Sequence, residues 1–201
     1  MEKSPIANLA ILLPLLLVIS MQPVSADCDD RRKPGMDWTG CKKINKFMSE
    51  SNFRGSIFDR ANLTLSKLDN SDFTGASLIR TNMTRTTAKN SLFVESDMTK
   101  AVGYRARFHS VTLDKAVLSK SEFSRAQFDN AMIRDVDWSK SELGRASFKG
   151  ASLSNVQFMF TNLARVRFTE SNIDNVDFHG AYTYRTYFEG VDLTRNIEAG
   201  N

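Results

Sequence analysis

Two histidines and two cysteines are the whole stock of soft metal ligands and neutral-pH bases among the 201 residues, and the chain does not gather them. Cys28 and Cys41 stand near the start with no histidine close by, which argues against a zinc site, whose ligands come in closely spaced sets. His109 and His179 are isolated. A glycine-rich phosphate loop and a nucleophile elbow are also missing. Serines are plentiful, but the chain's repeat demands small residues, so their abundance has a structural explanation. These shortages exclude most catalytic schemes, so the chain is read as a non-enzyme with no cofactor and no metal.

Only one long apolar run exists, residues 6–19, and it lies too early and is too short to prefer a membrane span. Lys3 precedes it and Val24-Ser25-Ala26 follows with the small-residue pattern of a cleavage site. Residues 1–26 therefore read as a signal peptide cut after Ala26, with a secreted or periplasmic product and no span left after cleavage. Asp27 before Cys28 argues against lipid attachment at that cysteine. Export makes a Cys28–Cys41 disulfide the default, worth ~3 kcal/mol in the chain-entropy model. The formal net charge of +4 matters only if it is concentrated.

What is abundant is order. From Ser51 to Val191 every fifth residue, 29 of 29, is Ala, Ser, Thr or Val; two residues later, 26 of 29 are Phe, Leu, Ile, Met or Trp. Ala88, Gly103 and Thr183 are the exceptions, and they read as holes that loosen the chain locally. A period of five matches neither helix nor strand, so it must arise from a coil that turns a corner every five residues. The small and the large apolar residue then point inward, and the other three positions face water.

Units such as "ANLTL" (61–65), "SDFTG" (71–75), "TNMTR" (81–85), "ASLSN" (151–155) and "VDLTR" (191–195) resemble the pentapeptide-repeat family, whose pattern is A-(D/N)-L-X-X. The resemblance implies an all-β fold, a right-handed quadrilateral parallel β-helix with four units and 20 residues per coil, about 7–8 coils in all. It runs through residues 51–195, and "MDWTG" (36–40) carries the register back more weakly. Residues 27–50 are expected to form an N-terminal cap with the disulfide and degenerate first repeats. Residues 196–201 form a tail too short to cover the last coil, which invites a homodimer through the C-terminal end. Folded at twenty, Phe108, Phe128, Phe148, Phe168 and Phe188 should stack on one face, and Phe53, Phe73 and Phe93 should begin another.

The same folding sorts the last residue of each unit onto four corners. One reads Arg85, Arg105, Arg125, Arg145, Arg165, Arg185, and its neighbour reads Arg60, Arg80, Lys100, Lys120, Lys140. The face between them carries Asn82, Thr84, Tyr104, Ser124, Gly144 and Asn162. Like charges stacked ~5 Å apart repel by nearly 1 kcal/mol per pair even in water. Either local acids such as Glu122, Glu142, Asp97 and Asp137 offset this, or the two corners form a strip for an anionic polymer: lipopolysaccharide, acidic glycan or nucleic acid. A second feature is aromatic: Met159, Phe160, Tyr182, Tyr184 and Tyr187 occupy outward slots near the C-terminus and suggest a contact patch. The expected function is an exported scaffold binding an unidentified envelope protein, with polyanion binding through the basic corners as the alternative. Family members that imitate duplex DNA need an acidic surface in the cytoplasm, and this chain has neither feature.

Overall fold

The computed structural model describes residues 28, 29 and 31–196; the expected signal peptide and all but the first residue of the expected tail lie outside them. Parallel bridges join residue i to i+20 throughout, beginning with Asp37↔Ile57. One column alone, Asp37, Ile57, Ser77, Asp97, Val117, Asp137, Gln157 and Asp177, counts eight coils. The coiling therefore starts ahead of the unbroken sequence period. Four faces follow one another round each coil, centred in the first coil on Trp38, Lys43, Met48 and Phe53, here faces one to four. On face four the bridges lengthen into β1 (Thr112–Asp114), β2 (Met132–Arg134), β3 (Ser152–Ser154) and β4 (Asn172–Asp174), a parallel sheet in that order. Its register pairs Leu113 with Ile133, Ile133 with Leu153 and Leu153 with Ile173.

Each unit performs one corner. The N–H of the first residue in a unit donates to the carbonyl of the preceding central residue, as Ser56 does to Phe53 at 3.1 Å and Ala126 to Phe123 at 3.0 Å. That closes a four-residue turn whose third position needs a positive φ. Every fifth residue from Gly35 to Gly190 has one: seven are glycine and 25 are not, with φ between 52° and 73° across the set. The Asp or Asn before each central residue serves the same corner by accepting an N–H two residues on. Asp72 accepts from Thr74 at 2.9 Å, Asn82 from Thr84 at 3.0 Å and Asp177 from His179 at 2.7 Å. Here lies the physical reason for the acid or amide in the repeat.

Inward positions are filled, and most of their polar groups are satisfied, the buried indole N–H groups of Trp38 and Trp138 being exceptions. Phe108, Phe128, Phe148, Phe168 and Phe188 stack in sequence at 5.1–5.3 Å between centroids and within 13° of parallel. Phe53, Phe73 and Phe93 stack at 4.9 and 4.8 Å. Hydroxyls at the small inward position donate to the central carbonyl one coil back: Thr81 to Phe58 at 2.7 Å, Ser91 to Leu68 at 2.8 Å, Thr161 to Trp138 at 2.7 Å. Burying such side chains contributes roughly 1.5–3 kcal/mol each when apolar, and the hydroxyls escape the cost of an unmade bond.

The expected hole at Gly103 does not exist. A Cβ placed there would lie 2.1 Å from Cε1 of Phe123, because that ring leans back from the next coil into the space the glycine leaves. Ala88 is fully buried, and Thr183 is half-exposed.

At the first coil, Cys28 and Cys41 are bonded with a Cα–Cα distance of 5.5 Å. Lys43, which fills the central slot of face two, donates to the Cys28 carbonyl and holds its ammonium 4.1 Å from the Trp38 ring. Among the described residues no helix is long and apolar enough to cross a membrane.

Candidate anion-binding face

Face two lies between the two basic corners. All eleven corner cations, Arg60, Arg80, Lys100, Lys120 and Lys140 on one side and Arg85, Arg105, Arg125, Arg145, Arg165 and Arg185 on the other, occupy the positive-φ slot. Arg125 is half-buried and the other ten are exposed. The left-handed conformation costs an ordinary side chain about 1 kcal/mol or more and is easiest for Gly or Asn. The corner after face three takes that easy course with Asn70, Asn90, Asn130, Gly150 and Gly190, whereas the two basic corners do so only toward the ends of the rod, at Gly40, Asn45 and Gly180.

Ion pairs among the described residues include Arg54–Asp72, Arg134–Asp114, Lys149–Glu170 and Arg195–Asp174, and the His109 ring stands 3.8 Å from the Asp129 carboxylate. All lie on faces three and four or at the corners that follow them. None includes a residue of the two basic corners. The acids that sequence offered as partners are engaged differently. Asp97 accepts the Thr99 N–H at 2.9 Å, Asp137 the Ser139 N–H at 2.8 Å, and Glu142 the Asn162 amide at 2.8 Å. These ion pairs thus gather on faces three and four, and the corner cations beside face two are left to the solvent.

Arginines of the second corner instead lean on rings. The Arg105 and Arg125 guanidinium carbons stand 5.3 and 5.9 Å from the Tyr104 centroid, and Arg185 stands 5.1 Å from that of Tyr184. Between these tyrosines the same column reads Ser124, Gly144, Ala164, all too short to rise from the surface. The result is an open groove of about 470 Å³ walled by Arg125, Arg145 and Arg165 and closed at one end by Tyr182 and Tyr184. A smaller depression of about 260 Å³ sits at the other corner against Arg60, Arg80 and Lys100.

The aromatic patch expected from sequence is spread over more than one surface. Tyr182 and Tyr184 share face two with parallel rings 6.2 Å apart. Phe160 sits at the preceding corner, packs over Gly180 and meets His179 edge-on at 5.7 Å. Met159 beside it is half-buried, and Tyr187 lies round the next corner on face three. What sequence reading left unconnected is that Ser124, Gly144, Ala164 and Tyr184 line one groove; a shared column at the 20-residue period is the signal that reveals it.

No group of three or more His, Cys, Asp or Glu among the described residues could hold a metal ion. Asp72 and Asp114, away from the basic face, have pKa values below the ordinary carboxylate range. Burial pushes Asp72 up, but the Thr74 hydroxyl and N–H and the Arg54 guanidinium outweigh it. At Asp114 the hydrogen bond from Arg134 dominates.

Comparison with known proteins bears on the repeat rather than on this face. A family model described as pentapeptide repeats in eight copies matches residues 48–85, and one described as a pentapeptide repeat region matches residues 121–196. Among solved structures, a trypsin-treated variant of QnrB1, a plasmid-mediated fluoroquinolone resistance protein, is similar at a TM-score of 0.53 and 16% identity, covering 79% of this chain and 89% of its own. A second trypsin-treated QnrB1 variant gives 0.52, 14%, 79% and 91%. A pentapeptide repeat protein of the Arabidopsis thaliana thylakoid lumen gives 0.48 and 22%, covering 49% of this chain and 69% of its own. No curated protein sequence matches the chain.

Proposed function

Because the chain belongs to the pentapeptide-repeat family, whose members are generally non-enzymatic structural or interaction proteins, we propose that it is an exported scaffold that holds an anionic polymer against its two basic corners. One observation carries the reading: eleven cations in two adjacent ladders form no ion pair, while every ion pair of the described residues lies elsewhere. An approaching polyanion would relieve the repulsion within each ladder and meet corner cations that form no ion pair among the described residues. Such steering weakens as salt rises. The Cys28–Cys41 disulfide supports an oxidising compartment, consistent with export and an envelope or secreted location.

The test is binding of the full chain to heparin and to lipopolysaccharide at low and at physiological salt. Charge reversal at Arg105, Arg125 and Arg145 to Glu abolishes binding, whereas Lys115→Glu, at the corner after face four, leaves it intact. Equal loss from both sinks the reading. Sequencing the N-terminus of the exported protein checks cleavage after Ala26.

A second reading, contact with an envelope protein or a second copy of the chain through the C-terminal coils, draws support from the exposed rings of Phe160, Tyr182, Tyr184 and Tyr187. Cross-linking from the envelope fraction that fails when Tyr182 and Tyr184 become Ser, but survives reversal of the arginines, would favour it.

A further inference from the structure

We propose that the groove running from Arg125 to Tyr184 on face two binds a linear acidic polysaccharide lying along the rod axis. This rests on the polyanion reading and names the polymer. The wall supplies one arginine per coil, at the strand spacing of ~4.8 Å. An α-1,4-linked galacturonate chain, joined through axial bonds, advances by about the same step per sugar while successive sugars turn about the chain axis. Those carboxylates that face the wall therefore meet its guanidiniums at the coil spacing. Arginine suits this pairing, since its planar fork takes a carboxylate through two parallel hydrogen bonds. The low floor at Ser124, Gly144 and Ala164 leaves room for the ring, and the wall arginines make no ion pair among the described residues. Glu122 and Glu142 stand in the neighbouring column of face two, and their repulsion confines an anionic chain to the arginine side.

Other polymers fit less well. Single-stranded nucleic acid sites place aromatic rings under successive bases. Here the column holds rings only at Tyr104 and Tyr184, with three small residues between them. A peptide added as a strand needs a free sheet edge. Along this face the backbone donors are already spent between coils: Phe123 donates to Glu142 at 2.8 Å, Glu142 to Ser121 at 2.8 Å and Leu143 to Asn162 at 2.9 Å.

The experiment titrates the full chain with size-graded oligogalacturonates, inorganic polyphosphate and oligothymidylate. From Ser124 to Tyr184 the groove spans four coils, so galacturonate affinity should climb to about four units and then level off. Gly144→Leu fills the groove without changing charge. Its φ is not positive, and a Cβ would meet Ala164 O at 3.8 Å and Asn162 Nδ2 at 4.0 Å, both ordinary contacts, so the fold accepts it. It should lower galacturonate affinity about tenfold or more and polyphosphate affinity less than about twofold. Tyr184→Ala should do the same. Galacturonate binding indifferent to Gly144→Leu, or oligothymidylate binding tighter than galacturonate of equal charge, overturns the assignment. If polyphosphate binds and galacturonate gains nothing over it, the groove proposal fails and the basic strip stands; if neither binds, both fail.

Discussion

The ring of Phe123 occupies the side-chain space of Gly103, with Cε1 and Cδ1 standing 2.1 and 2.2 Å from where a glycine Cβ would be. One residue thus fills two slots of the face-two ladder, its own and that of the coil before it.

Restoring the repeat at this position should therefore do harm. Gly103→Leu obeys the five-residue pattern, yet overpacking of this kind costs about 1–3 kcal/mol. Pairing it with Phe123→Leu should recover much of the loss, because each change corrects the space left by the other. Denaturant unfolding of the two single variants and the double variant measures the coupling; simple additivity would contradict the interlock.

The corners make a second prediction. Arg165 has φ 59°. Arg165→Gly should stabilise the chain by about 1 kcal/mol relative to Arg165→Ala, the reverse of the order in a helix. Chemical denaturation decides it, and the same logic makes Asn the mildest neutral replacement for any corner arginine in binding work.

Acid should weaken the fold through particular carboxylates. Asp72, Asp114 and Asp192 are all held below the ordinary range, Asp192 chiefly by the Thr194 N–H. A depressed folded pKa gives stability that is full above the unfolded value of about 3.9 and is lost as pH falls through the folded value. The unfolding temperature should stay level from neutrality to about pH 5 and drop below about pH 4. Asp72→Asn keeps an acceptor for Thr74 and loses the Arg54 pair at 3.0 Å, so its acid limb should be shallower.

Reduction tests the first coil. The disulfide spans 13 positions, and cutting it should cost ~3 kcal/mol, somewhat less if native strain intervenes. Calorimetry with and without reductant reads the loss. Cys28→Ser should match the reduced protein, since Lys43 bonds the Cys28 carbonyl, which serine retains.

Inward residues were the legible part of this chain. Phe108 through Phe188 and the Ser/Thr positions announce themselves because a closed coil permits only small or apolar side chains inside. The first coil was harder to read. Lys43 takes a central slot and Lys46 a small one, which the end of a stack allows because no coil lies above. Gly103 misled because a residue's space is shared with its neighbour twenty positions on, which no single unit records. Charge pairing was hidden for the same kind of reason: Asp97 and Asp137 turn to their own corners, a matter of local geometry rather than of composition.

The 20-residue register gives changes of length two distinct meanings. Deleting one whole coil between Ser124 and Tyr184 would shorten the groove by a single arginine and leave every later residue on its face. Deleting one unit of five would instead turn everything downstream by a quarter revolution, moving Arg165 and Tyr184 round a corner from Arg125 while preserving each local turn. Length in this protein is counted in twenties, and orientation in fives.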